Sequence, residues 1–200
     1  MVMMMKETYS KNYFEKYAAL TLTKILQISE EDIIQDDRPD LRIPVANYGI
    51  EVTQALTPQE AAADIKKPLY AILNINPFDH NAHDLHFVME KIDNAIQRKL
   101  EKSKNYERYP NNGLYIFSHC HNLPRKMLKD YFYHQPLDHL FYQHIYINCV
   151  NHLYHYNIQA KTLTNYKYHV NELAAMNKIA LEFEKQCQKE RRKIDLSKQE

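Results

Sequence analysis

Between Lys6 and about Gln27 the residues Tyr9, Tyr13, Phe14, Tyr17, Ala18, Leu20, Leu22, Ile25 and Leu26 recur at mixed three- and four-residue steps. That is the period of an amphipathic helix, so a first helix is expected there. Ser29 followed by Glu30, Glu31 and Asp32 resembles a capped helical turn. It should end before Arg38, because Pro39 biases its predecessor away from helix. Leu41 to Ile43 then reads as a short strand, Asn47-Tyr48-Gly49 as a turn, and the run opening at Gly49 as a second strand, since Ile50, Val52 and Thr53 favour β structure.

Thr57-Pro58-Gln59-Glu60 supplies an N-cap, a first-turn proline and an acid, so a helix is expected from about Pro58 to Lys66. Leu69 to Ile75 is a short apolar run, read as extended, and Pro77 to Phe87 as a loop. Val88, Ile92, Ala95, Ile96 and Leu100 mark one face of a helix from about Asp84 to Lys104, whose other face carries Lys91, Arg98, Lys99, Lys102 and Lys104. The turn Pro110-Asn111-Asn112-Gly113 leads into a buried strand at Leu114 to Phe117. A short helix with Arg125, Lys126 and Lys129 is expected over Pro124 to Tyr133. Phe141 to Tyr156 alternates as a hairpin turning at Asn151-His152, and a last helix is expected from about Asn165, ending in a frayed polar tail. The expected class is α/β, a central mixed sheet flanked by helices, in one domain spanning 1–200 with its core at about 6–160 and a C-terminal helix at about 165–192.

Composition narrows the chemistry. With 44% hydrophobic and 26% charged residues the chain reads as globular, and no apolar run approaches the roughly 20 residues of a membrane span. The start lacks a signal-peptide pattern, and Cys120, Cys149 and Cys187 form no CxxC pair, so a cytoplasmic protein with reduced, structural cysteines is expected. A net charge of +1 does not announce a nucleic-acid binder, so any polyanion site has to be local. No Gly-rich phosphate loop, GxSxG or HExxH occurs.

The stretch Arg38 to Ala55, RPDLRIPVANYGIEVTQA, places Asp40 just before one strand and Glu51 inside the next. These residues, DRPDL and then GIEVT, resemble the PD-(D/E)xK restriction endonuclease-like nuclease superfamily, in particular bacterial and phage proteins carrying GIEVT in place of the usual ExK. The resemblance spans roughly Glu15 to Tyr156, with motif residues at Pro39, Asp40 and Gly49 to Thr53. It implies a first helix packed on a mixed sheet, and a metal-dependent nuclease hydrolysing DNA phosphodiester bonds in bacterial or phage defence, mobility or repair. It further implies Mg²⁺, with Mn²⁺ as substitute, on Asp40, Glu51 and the backbone carbonyl of Val52, with Glu15 of the first helix as a further ligand. Hard oxygen donors that leave room for water and phosphate suit that ion.

Where ExK has lysine, this chain has Thr53, followed by Gln54. The cation is expected instead from RKLEKSKNY, where Lys99, Lys102 and Tyr106 lie at three- and four-residue steps on one helix face. The competing reading is a non-catalytic nucleic-acid-binding or assembly module on the same fold, acting as a homodimer or with a protein partner. The histidines invite zinc, but neither His80, His83 and His86 nor His119-Cys120-His121 has a partner pair at a standard spacing. His134, His139, His144, His152 and His155, set among tyrosines, read as a polar-aromatic surface.

Overall fold

The structure, a computed structural model, describes residues 9–58, 60, 84–136 and 141–197. Helix α1 (Lys11–Leu26) starts where Ser10 caps it, its hydroxyl accepting from the Asn12 amide at 3.2 Å, and stops at Gln27, which takes a left-handed conformation with φ 55°. Among the described residues seven strands follow in chain order: β1 (Ile34–Gln35), β2 (Leu41–Ile43), β3 (Tyr48–Gln54), β4 (Asn111–Phe117), β5 (His144–Cys149), β6 (His152–Asn157) and β7 (Thr162–Lys167). Helix α2 (Leu85–Lys102) lies between β3 and β4, α3 (Arg125–His134) between β4 and β5, and α4 (Val170–Ser197) closes the chain. Among the described residues no helix is long and apolar enough to cross a membrane.

All seven strands form one mixed sheet in the order of the sequence. β1, β2 and β3 run antiparallel, β3, β4 and β5 parallel, and β5, β6 and β7 antiparallel again. Two parallel steps need two crossovers, and α2 and α3 sit in them. Period-two alternation splits the side chains between two cores. Leu114, Ile116, Ile145 and Ile147 face Val88, Ile92 and Ile96 of α2 and Leu128 and Phe132 of α3. Ile50, Tyr115, Phe117 and Tyr146 face Tyr13, Tyr17 and Leu22 of α1 and Leu173 and Met176 of α4. The interior strand β5 is buried at every position because helices cover both faces.

The second core carries the contacts that fix α1. Tyr115, wholly buried, shares a 2.7 Å hydrogen bond with Thr21 and accepts one from Asn148 at 2.8 Å, while Tyr168 donates to the Thr21 carbonyl at 2.7 Å. Tyr13 donates to Asn177 of α4 at 2.6 Å, and the Ser10 hydroxyl donates to Glu184.

Several expectations are corrected. Thr162–Lys167 is a strand, where the last helix was expected from about Asn165; α4 begins at Val170 and stays helical through Ser197, where a frayed tail was expected. The β5–β6 turn is made by Val150, at φ 62°, and Asn151, so His152 belongs to β6. The short β1 was not anticipated. Ser29 does form a capping box with Asp32, on a 3-10 turn. Most of the helix expected at Pro58 to Lys66, and the run Leu69 to Ile75, lie outside the described residues. Cys120, Cys149 and Cys187 form no disulfide among the described residues, and the first two are buried.

Candidate active site

Strand register brings the acids together. β2 pairs Leu41 with Ile50, so one step further sets Asp40 opposite Glu51. Residues directly opposite in an antiparallel pair project to the same face. β2 begins at Leu41, and beyond it the Val52 amide donates to Asp40 Oδ2 at 2.8 Å. The aspartate side chain thus continues the ladder where the strand has ended, which fixes its orientation. Gly49 allows the approach: a Cβ there would stand 3.0 Å from Pro39 Cγ and 2.7 Å from Tyr109 Cδ2.

Lys99 reaches the two acids from α2. Its ammonium donates to Glu51 Oε2 at 2.7 Å and lies 3.8 Å from Asp40 Oδ2. From α1, Lys11 Nζ lies 3.0 Å from Asp40 Oδ1 and 3.3 Å from Glu15 Oε1, so Glu15 joins the same group. Glu15, Asp40 and Glu51 are 5%, 4% and 4% exposed. Buried carboxylates survive as ions only when paired, and here three carboxylates share two ammonium groups.

The imbalance shows in their acidity. The Glu15 carboxyl is pushed up to about 7, first by burial and then by the charge of Asp40, with Lys11 pulling the other way. Burial also raises Glu51, against the pull of Lys99. Burial works against the charge on Lys11, but Asp40 and Glu15 outweigh it and hold its ammonium above the ordinary value. Such crowding of like charges in a cleft is typical of a functional site.

These groups line a cleft of about 700 Å³ that also includes Tyr9, Arg38, Thr53, Gln54, Arg98 and Tyr106. The Arg98 Nη2 donates to Thr53 Oγ1 at 3.2 Å and to the Gln54 carbonyl at 3.3 Å. Gln54 Oε1 is buried in the cleft wall with no hydrogen-bond partner among the described residues.

Of the residues singled out in the sequence, Glu15, Asp40, Glu51 and Lys99 meet, with Val52, Thr53, Gln54 and Tyr106 around them. Lys102 does not; it is exposed and outside the cleft lining. The expected shared helix face fails for Tyr106, because α2 ends at Lys102 and a 3-10 turn over Ser103–Asn105 intervenes. Lys11 and Arg98 were missed as site members. The sign of Lys11 was its i,i+4 spacing from Glu15.

The histidines lie elsewhere. His80, His83 and His139 are outside the described residues, His86 and His121 are exposed, and His119 is buried beside the rings of Phe14 and Phe117. Among the described residues no three or more His, Cys, Asp or Glu side chains form a metal-binding group. The expected histidine surface is corrected at two positions: His144 and His155 point into the α1 and α4 side of the sheet, 3.0 Å apart, with Tyr48 3.1 Å from His144 and the Tyr146 ring stacked on His155. Comparisons with family models, curated proteins and solved structures find no match to this chain.

Proposed function

We propose that the protein is a divalent-metal-dependent nuclease acting on DNA, of the PD-(D/E)xK type and restriction endonuclease-like fold. The observation that carries this reading is the meeting of Asp40 and Glu51 with Lys99 in one cleft, with Glu15 beside them. The order of elements supports it: a helix, an antiparallel strand pair bearing the acids, then parallel strands reached through α2.

The donor set suits Mg²⁺ or Mn²⁺. Mg²⁺ is held by one or two carboxylates, keeps several waters and needs no all-protein cage. Asp40, Glu51 and the Val52 carbonyl would hold it, and three buried carboxylates against two ammonium groups leave negative charge to neutralise. Bound there, the ion would supply a water of lowered pKa and offset charge on the scissile phosphate.

The chain's own groups do the rest. Lys99 occupies the part that lysine of ExK plays elsewhere, delivered from a helix because Thr53 is too short; it holds Glu51 in place and sets a positive charge beside the reacting phosphate. Arg98 ties Thr53 and the Gln54 carbonyl to α2, so the end of β3 and the lysine move as one piece. Lys11 orients Asp40 and Glu15 from α1.

The test is cleavage of supercoiled plasmid and of single-stranded DNA with Mg²⁺ or Mn²⁺. Wild type cuts one of them, EDTA stops it, and Asp40→Ala and Lys99→Ala lower the rate at least about a hundredfold. No cleavage under any of these conditions overturns the reading. The competing reading, a non-catalytic module on the same fold, draws on Thr53 in the lysine position; it predicts DNA binding that survives Asp40→Ala without cleavage by wild type.

A further inference from the structure

A second concave site lies at the other end of the sheet, formed between α3 and the turn into β7. Helix α3 buries Leu128 and Phe132, four residues apart. One ridge over, Arg125, Lys129 and Tyr133 also repeat at four-residue steps, so two cations and an aromatic ring stand in one row along the helix. Successive members are about 6 Å apart along the axis, close to the spacing of neighbouring phosphates along an extended nucleic-acid strand.

This row borders a groove of about 850 Å³ whose opposite wall is Lys161, Thr162 and Thr164. Its floor is apolar, with Phe132 stacked on Tyr156 at 4.3 Å and 4° between ring planes. Arg125 is anchored rather than loose, donating through Nη2 to the Leu163 carbonyl at 2.6 Å. A guanidinium has five N–H donors in a fixed fork, so this bond orients the group and leaves donors for an anion. Among the described residues no carboxylate lines the groove; Asp93, on the same side of the sheet, accepts from Tyr131 at 2.6 Å. Tyr133 is 81% exposed, with the His134 ring edge-on at 5.2 Å, so much of its surface is open to a stacking partner.

We propose that this groove binds a single-stranded nucleic acid, its phosphates on Arg125 and Lys129 and an unpaired base stacked on Tyr133. Basic groups that track a backbone beside a ring that takes a base face are how strands are held without sequence readout. A duplex keeps its bases stacked on one another and cannot use Tyr133. An acidic peptide would use the cations but leaves Tyr133 without a role. The groove shares no residue with the carboxylate cleft, so the inference stands apart from the nuclease reading.

The experiment is fluorescence anisotropy of the full chain with labelled 12-mers of oligo(dT) and oligo(U) in EDTA, so that binding is read without cleavage. Tyr133→Ala is expected to weaken binding about tenfold, within the range for losing one stacked base, while Tyr133→Phe keeps affinity within about twofold. Lys129→Ala is expected to flatten the slope of log K against log salt by about 0.7, one phosphate of a single strand. The two oligonucleotides distinguish DNA from RNA as the natural strand. A 5-iodouracil oligonucleotide should photocrosslink to the tryptic peptide that begins at Asp130. The proposal is overturned if Tyr133→Ala and Lys129→Ala both bind as wild type, if a duplex of equal length or poly-glutamate competes as well as the single strand, or if crosslinks fall only in the cleft. Failure of metal-dependent cleavage leaves these measurements unchanged, so the two readings fail separately.

Discussion

Replacing Lys99 with methionine removes the ammonium but keeps the length of the side chain. In the wild type its side chain is 15% exposed and its nitrogen is 2.7 Å from Glu51, which is almost fully buried. Breaking a buried ion pair from one side costs about 3–5 kcal/mol, because the remaining charge is stranded. The lower end applies here, about 3 kcal/mol near pH 8, since Glu51 can take up a proton instead of remaining ionised. That escape gives the effect its pH dependence. In the variant the folded-state Glu51 pKa rises further above its unfolded value, so the folded form binds the extra proton and loses stability as pH rises. The penalty is therefore largest at pH 8 and shrinks towards pH 5. Urea denaturation of wild type, Lys99→Met and Lys99→Met/Glu51→Gln at both pH values measures it, and the double variant should recover at least about 1 kcal/mol as the stranded charge is removed. A penalty under about 0.5 kcal/mol at pH 8, or one equal at both pH values, refutes the idea that Lys99 holds a buried carboxylate.

Gly49→Ala is expected to cost about 1–3 kcal/mol by overpacking, because the new methyl meets Tyr109 and Pro39; a urea midpoint unchanged from wild type contradicts the packing argument. Tyr115→Phe leaves Asn148 and Thr21 short of a buried partner and should lower stability by about 1–3 kcal/mol in the same assay; an unchanged urea midpoint contradicts this. His155 is pushed down to about 4 by burial, with His144 adding to it. The unfolded chain, near pKa 6.5, then binds more protons between about pH 6.5 and 4, so stability is full above that window and falls as pH drops through it. His155 is partly exposed, so the loss should be about 1–2 kcal/mol; His155→Gln should flatten it, and an undiminished slope in that variant rules out His155 as its source.

The elements legible from sequence are those with a full apolar period: α1, α2, the strand at Leu114 to Phe117 and the short α3. The turn expected at Pro110 to Gly113 is corrected, since Asn111, Asn112 and Gly113 already pair with Tyr48, Gly49 and Ile50 as the first residues of β4. The edge strands were not legible. β7 buries only Leu163, because among the described residues no strand pairs its outer side, and TLTNYK therefore carries too few apolar residues to read as a strand. In the cleft, Asp40 and Glu51 were legible because a hairpin fixes their register locally. Lys11 was not, since its partner Asp40 is brought to it only when α1 docks on the sheet. Lys99 and Lys102 look alike in sequence; the direction of α2 over the sheet turns one into the cleft and the other to solvent. His144 and His155 read as surface because parity alone does not say which face α1 and α4 cover.

The anchoring of α1 on α4 has a consequence for the timing of synthesis. Ser10 and Tyr13 hold Glu184 and Asn177, so the helix that carries Lys11 and Glu15 is seated by a helix made more than 150 residues later. A nascent chain that has emerged as far as β7 already has Asp40, Glu51, Lys99 and the sheet face on which α1 packs, yet it lacks α4 and with it the partners of Ser10 and Tyr13. The α1 side of the carboxylate group is thus clamped only once α4 has been made, and a product that stops at β7 carries Asp40, Glu51 and Lys99 without that clamp on Lys11 and Glu15.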